Sequence, residues 1–267
     1  MINKVAIIGC GWLGLPLAKT LLNEGRTVHG STTSKHKLPL LKMSGIIPYQ
    51  ISISENGVQG DITDFLRGVD CIIINVPPKL RGGSNENFVK KMQWLHKAVR
   101  VSSVEKVIFV SSTSVYGNIK GEVTEKTDPQ PATESGKQLL TAERIFKNDK
   151  ERETSIIRFG GLIGPERHPV TMLAKRKNLS NGNMPVNLVH LNDCIRTITE
   201  ILANDWWSET FNSVYPYHPT KQLYYSSEAL LRGLQPPEYE SNKNSNGKIV
   251  HAHNLINVKG FRFTTTI

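Results

Sequence analysis

Near its start the chain passes from a short apolar run, Lys4–Ile8, through Gly9-Cys10-Gly11-Trp12-Leu13-Gly14, into apolar residues at 13, 17, 18, 21 and 22. The later spacing is that of an amphipathic helix, and the run before it reads as a buried strand of a parallel sheet. Each glycine between them has its own use. Gly9 permits a tight turn, Gly11 lets a phosphate approach the backbone, and Gly14 lets the helix pack close to the strand. The helix start then offers unsatisfied N–H groups and the positive end of a dipole to an anion. G-x-G-x-x-G alone is weak evidence, but its place between a strand and a helix is the context that supports it. The turn is therefore expected to hold the pyrophosphate of a nicotinamide dinucleotide through residues Gly9, Cys10, Gly11, Trp12, Leu13 and Gly14. The bland alternative is a turn that binds nothing.

The rest of the first half repeats the alternation. Thr27–Gly30 reads as a second strand, and a helix–strand pair follows up to about Ile53. Cys71–Val76 reads as a fourth strand, stopped by Pro77-Pro78, and Glu86–Val101 as a long helix. Lys106–Ser111, Gly136–Lys147 and Thr154–Phe159 continue as strand, helix and strand. The pattern predicts an α/β fold with a Rossmann-type doubly wound parallel sheet over residues 1–165. After Gly164-Pro165 it weakens. Residues 166–267 read as a smaller mixed α/β substrate lobe, with helices over Leu191–Leu202 and Thr220–Leu231 and a partial return to the core at about 186–205.

The chain has 267 residues, and 33 Lys and Arg against 23 Asp and Glu give a formal net charge of +10. That excess favours an anionic small-molecule substrate or a phosphorylated cofactor. The basic residues are dispersed, and there is no zinc finger, RNP-like strand or Arg-rich arm, so nucleic acid is not an expected partner. Cys10, Cys71 and Cys194 are far apart, with neither metal-ligand nor disulfide spacing. No metal is expected. No window approaches the ~20 apolar residues of a membrane helix, and no signal peptide is visible. A cytoplasmic protein is the expectation, and a homodimer is compatible with it.

The end of the second strand bears on the choice of cofactor. An acid there would bind the adenosine ribose of NAD, but no acid stands between Gly25 and Ser54. Ser31, Thr32, Thr33, Ser34 and Lys35 supply hydroxyls and a cation instead, which favours NADP over NAD. Val76 and Pro77, at the carboxyl end of the fourth strand, would contact the cofactor by packing and backbone carbonyls. Residues 79–84 could form a flap over the site or an ordinary surface loop.

Two families share the opening Ile8-Gly9-Cys10-Gly11-Trp12-Leu13-Gly14-Leu15-Pro16-Leu17-Ala18. It looks like the start of UDP-sugar and β-hydroxyacid dehydrogenases, but the chain lacks their long helical domain. Val110-Ser111-Ser112-Thr113-Ser114-Val115-Tyr116-Gly117 resembles instead the segment after the fifth strand of extended short-chain dehydrogenase/reductases, the epimerase/dehydratase group. Arg158–Pro165, Val189–Asp193 and Gly60-Asp61 resemble further motifs of that group, in its order, and Asp61 matches its adenine-side acid. Through Gly9–Ala18, Ser111–Gly117, Arg167-His168-Pro169 and Val186–Asp193 the chain resembles the atypical YeeZ-like subgroup. The resemblance implies an oxidoreductase or epimerase acting on a sugar-nucleotide or similar polar substrate.

One departure matters most. The superfamily's acid–base is the Tyr of Y-x-x-x-K, whose Lys lowers the Tyr pKa and binds the nicotinamide ribose. The matching Lys is Lys137, but Thr133 stands four residues before it. A phenol titrates near ~10, whereas an alkyl hydroxyl is far more basic once deprotonated, so Thr133 is no simple replacement. The family's catalytic Ser/Thr position matches Ser112. Three readings stay open: Lys137 binds cofactor only; Tyr116, Lys137 or His190 carries the proton; or the alignment near Thr133 is shifted. The candidate catalytic residues are Ser112, Lys137 and Tyr116. A dinucleotide-sensing module without turnover is the alternative, and a β-hydroxyacid-type dehydrogenase is a further one.

Overall fold

The computed structural model describes residues 2–78, 86–240 and 247–267. The apolar run forms β1 (Lys4–Ile8), and the glycine turn leads into α1 (Gly14–Asn23). There follow β2 (Thr27–Thr32), α2 (Leu38–Met43), β3 (Ile47–Gln50) and a small hairpin, β4 (Ser52–Ser54) with β5 (Gly57–Gln59). Next come α3 (Ile62–Leu66), β6 (Cys71–Ile74), α4 (Phe88–Arg100) and β7 (Lys106–Ser112). The chain continues with β8 (Gly121–Val123), α5 (Glu134–Lys147), β9 (Glu153–Phe159), β10 (Gly161–Ile163) and α6 (Val170–Leu173). It closes with β11 (Leu188–His190), α7 (Leu191–Ala203), β12 (Thr210–Ser213), α8 (Lys221–Leu231) and β13 (Lys248–Val250).

Seven strands form one sheet in the order β12-β9-β7-β6-β1-β2-β3. Around β1 the pairings are parallel: Val5 faces Val28 of β2 and Cys71 of β6. β2–β3 and β6–β7 are parallel as well. This is the predicted Rossmann-type sheet. The strand order reverses at β1, so the carboxyl ends of β1 and β6 flank the switch point where such sheets take ligands. Parallel strands covered on both faces must be apolar throughout. β6 shows this directly, since Cys71, Ile72, Ile73 and Ile74 are all fully buried.

The chain divides into two compact units. Unit 1 takes the chain up to Val115, with Pro131–Arg158 and Ile195–Thr210. It contains the glycine turn and α1 to α5. Unit 2 comprises Tyr116–Gln130, Phe159–Cys194 and Phe211–Ile267. Its core gathers Ile163, Val170, Val186, Leu188, Tyr224, Tyr225 and Ala229, and the chain's last residue, Ile267, packs against it. The 79–84 loop considered above lies outside the described residues. Among the described residues no helix is long and apolar enough to cross a membrane.

Candidate functional site: the glycine turn and the end of β7

The three glycines of the turn separate into two kinds. A Cβ on Gly14 would lie 2.2 Å from the carbonyl oxygen of Gly9, and one on Gly9 would lie 2.5 Å from that of Asn75. Gly9 also holds a φ of +102°. Both are required by packing. A Cβ on Gly11 would meet nothing within 4 Å. Nothing inside the fold therefore demands glycine at 11, and the exposed backbone there borders open space. The start of α1 has no side-chain cap and no acid in its first turn, so no side chain competes for its terminal N–H groups.

The turn is braced from two strands. Ser31 Oγ accepts the Gly9 amide at 3.0 Å, and the Cys10 amide donates to the Ser31 carbonyl at 2.8 Å. Asn75 Nδ2 donates to the Gly9 carbonyl at 3.0 Å. Asn75 is a site residue that sequence reasoning missed. Its signal was a lone amide inside the apolar run at the end of the fourth strand. Val76 lies near Gly9, with a methyl 3.7 Å from where a Cβ would sit. Pro77 is exposed and Trp12 half-buried. Cys10 is buried, and burial pushes its thiol up to about 12, so it is an inert packing residue.

The residues read as a 2′-phosphate site divide between the buried end of β2 and the more exposed turn after it. Ser31 and Thr32 are buried. Besides Ser31's bond to Gly9, Thr32 Oγ1 accepts the Ser34 amide at 3.2 Å. Lys35 opens a short 3₁₀ turn, Lys35–Lys37. Asp61 caps α3, with Oδ1 accepting the Asp64 amide at 2.8 Å.

At the end of β7, Ser112 is half-buried and its Oγ accepts the Ser114 amide at 3.1 Å. Thr133 is the N-cap of α5. Its Oγ1 accepts the Gly136 amide at 3.1 Å, and its carbonyl accepts the Lys137 amide at 3.0 Å. The i, i+4 relation to Lys137 survives, but residue 133 has become a cap, a role that suits Thr and has no use for a phenol. Lys137 is exposed. Gly136 brings the start of α5 against the turn after β7, since a Cβ there would stand 3.2 Å from the Ser114 carbonyl. The Ser112–Ser114 and Thr133–Lys137 segments are thus neighbours. Behind them lies an enclosed cluster: Arg158 Nη2 donates to Glu143 Oε2 at 2.7 Å, and Ser111 donates to Glu143 Oε1.

The remaining candidates, Tyr116 and His190, lie in unit 2. Tyr116 is fully buried and its hydroxyl donates to Asn212 Oδ1 at 2.9 Å. That arrangement is a core hydrogen bond rather than an exposed acid. His190 Nδ1 accepts the Asn192 amide at 3.2 Å, and burial lowers its pKa. His168 Nδ1 accepts the Val170 amide, and its Nε2 meets the Tyr224 hydroxyl at 3.0 Å. Lys175 is exposed, and Arg167 belongs to a tight turn closed by hydrogen bonds with Gly164. Among the described residues no group of three or more His, Cys, Asp or Glu could hold a metal ion.

The model of the NAD dependent epimerase/dehydratase family matches residues 5–212, and the chain belongs to that family. The match runs far past the glycine turn, so the opening's likeness to UDP-sugar and β-hydroxyacid dehydrogenases does not define the chain. It is 36% identical over 263 residues to Protein YeeZ of Escherichia coli, covering 98% of this chain and 96% of that protein. UDP-glucuronic acid 4-epimerase from Bacillus cereus, in complex with NAD, shares the fold with a TM-score of 0.81. It is 18% identical, over 98% of this chain and 92% of that one. MoeE5 in complex with UDP-glucose and NAD matches with a TM-score of 0.79 and 22% identity, over 99% of this chain and 94% of that one. Both structures hold NAD, and this finding corrects the preference for NADP read from Ser31–Lys35. The physical reason lies in β2: Ser31 and Thr32 are buried at its end and are not exposed to wrap a 2′-phosphate.

Proposed function

We propose that the chain binds NAD along the Gly9–Gly14 turn and acts as an NAD-dependent oxidoreductase or epimerase on a sugar-nucleotide or similarly polar, anionic substrate. The observation that carries this reading is Gly11, the one glycine of the turn without a packing reason, set before the uncapped start of α1. Pyrophosphate is the ligand that such a backbone accepts. In this reading unit 1 holds the cofactor, and unit 2 supplies substrate recognition. Trp12, Leu13 and Gly14 offer backbone to the phosphates, and Asp61 stands on the adenine side. Val76 and Pro77 pack at the carboxyl end of the β6 segment, and Lys137 holds the ribose.

NAD, when bound, supplies a hydride acceptor that can also return the hydride. The chain's own residues must then handle the proton. Thr133 Oγ1 is a helix cap with an alkyl hydroxyl, too basic once deprotonated for the task of a phenol. Ser112 Oγ can donate a hydrogen bond to the reacting oxygen of the substrate, because its contact with Ser114 uses it only as an acceptor. Lys137 Nζ supplies positive charge beside a developing oxyanion. The proton therefore moves through Lys137 Nζ, Ser112 Oγ serves as a hydrogen-bond donor to the reacting oxygen, and Tyr116 keeps its core position.

The cap role of Thr133 specifically favours a second reading, a NAD-binding module without turnover. Calorimetric titration with NAD and NADH, followed by assays with UDP-glucose and UDP-glucuronate, separates the two. Turnover that disappears in Ser112→Ala and Lys137→Ala while Ser112→Ala still binds NAD supports the enzyme. Binding without turnover supports the module, and absence of NAD binding defeats both.

A further inference from the structure

A second cleft in unit 1 lies away from the glycine turn. It occupies about 580 Å³ between α3, α4 and the β4–β5 hairpin, a volume typical of small-molecule sites. Its floor reaches Arg67 and Gly68, just before β6 begins, and Ser102 and Ser103, just before β7 begins. It thus opens toward the amino ends of the sheet strands, whereas the glycine turn stands at a carboxyl end.

Helical spacing builds one wall. Trp94, Lys97, Ala98 and Val101 stand at i, i+3, i+4 and i+7 of α4 and its end, on one face, while Met92, Leu95 and Val99 are buried in the core. Val58, Ile62 and Leu66 make the facing apolar wall. Trp94 is fixed because its Nε1 donates to the Glu55 carbonyl at 2.9 Å, tying the hairpin to α4. The indole face remains as a lining surface, and 38% of the residue is exposed.

The charged side chains that line this cleft have one sign. No acid is among its lining residues, and two cations are. Lys97 Nζ lies 5.3 Å from the centre of the Trp94 ring and has no carboxylate partner among the described residues. Arg67 spends one nitrogen on Asp64 at 3.0 Å, and its side chain is 73% exposed. An apolar slot walled by an indole, with an unpaired ammonium and a guanidinium at its rim, is complementary to a flat ring carrying one negative charge. We propose that this cleft is a second binding site, for a small aromatic monoanion (a carboxylate or sulfonate), separate from the dinucleotide turn. The proposal stands independently of whether the chain turns over substrate.

The test uses two probes of the same shape, 8-anilinonaphthalene-1-sulfonate and its neutral analogue N-phenyl-1-naphthylamine, titrated by fluorescence into the full chain with excess NAD present. Lys97→Glu and Arg67→Glu alter exposed side chains and leave the core intact. The expected result is sulfonate binding that weakens about tenfold in the double variant, with the neutral probe changed by less than about twofold. A sulfonate affinity unchanged in the double variant overturns the proposal. So does complete displacement of the sulfonate by NAD, which would place the probe in the glycine turn. Ala98→Phe narrows the slot without altering charge and should weaken both probes; if it weakens neither, the cleft is not where they bind.

Discussion

Glu143 and Arg158 meet at 2.7 Å inside unit 1, with the Glu143 side chain 3% and the Arg158 side chain 8% exposed. Arg158 Nε makes a second contact with the same carboxylate at 3.1 Å. The pair ties α5 to β9, and through Ser111 it also holds the end of β7 that carries Ser112. Enclosed ions cost heavily when a partner is lost, because the survivor stays buried without its counter-charge.

Glu143→Ala should therefore destabilise the protein by about 3–5 kcal/mol. Urea unfolding followed by circular dichroism measures this as a fall in midpoint. A loss below about 1 kcal/mol, the range of exposed ion pairs, would mean that the cluster is open to water.

The contrast between Gly11 and Gly14 separates fold from binding. Gly14→Ala places a methyl 2.2 Å from a backbone oxygen and should cost about 3 kcal/mol, the upper range of overpacking. Gly11→Ala meets nothing and should alter stability by less than about 0.5 kcal/mol. If the turn holds NAD, Gly11→Ala weakens NAD affinity by about tenfold or more. Thermal melts and calorimetric titration of the two variants check both halves.

Asp193, fully buried at the start of α7, pins the end of the chain. Its carboxylate accepts the amides of Thr264 and Thr265 at 3.0 Å and 2.9 Å and the Thr264 hydroxyl at 3.1 Å. Asp193→Ala leaves those donors unsatisfied and should cost about 3 kcal/mol. Deleting residues 264–267 should cost a similar amount, because the same carboxylate then stays buried without these partners and Ile267 leaves the unit 2 core. Equal losses in the two variants, and no further loss when they are combined, would identify one shared interaction.

The sheet was legible because its signals are local. Buried parallel strands need unbroken apolar runs, and Lys4–Ile8, Cys71–Ile74 and Lys106–Ser112 carry them. The glycine turn was legible for the same reason. The β4–β5 hairpin was not read, although Glu55-Asn56-Gly57 is a turn signal, because its strands are only three residues long. Long-range pairing was also out of reach. Nothing local joins Glu143 to Arg158, or Tyr116 to Asn212 96 positions away. The cofactor preference failed for this reason. Ser31 looked available in sequence, while its burial and its bond with the Gly9 amide appear only once β1 and β2 are side by side.

Four histidines set the pH dependence of stability. Burial lowers the pKa of His29, His168, His190 and His218 below the usual 6.5. At His168 the nearby Arg232 lowers it further, against an opposing effect from Glu228. The folded state thus holds these rings neutral at a pH where the unfolded chain protonates them. With more protons bound to the unfolded state, stability rises with pH. Their contribution is complete above about pH 6.5 and is lost as pH falls from there toward the depressed folded values, by at most about 1.4 kcal/mol per pH unit per ring. Urea unfolding at pH 7.5, 6.5 and 5.5, above the range where ordinary carboxylates titrate, should show a steady fall. His168→Asn keeps an acceptor for the Val170 amide but cannot take up a proton, so it should flatten that slope. An unchanged slope would move the effect to the other three rings, and stability that does not fall between pH 6.5 and 5.5 would show that none of the four is held neutral by the fold.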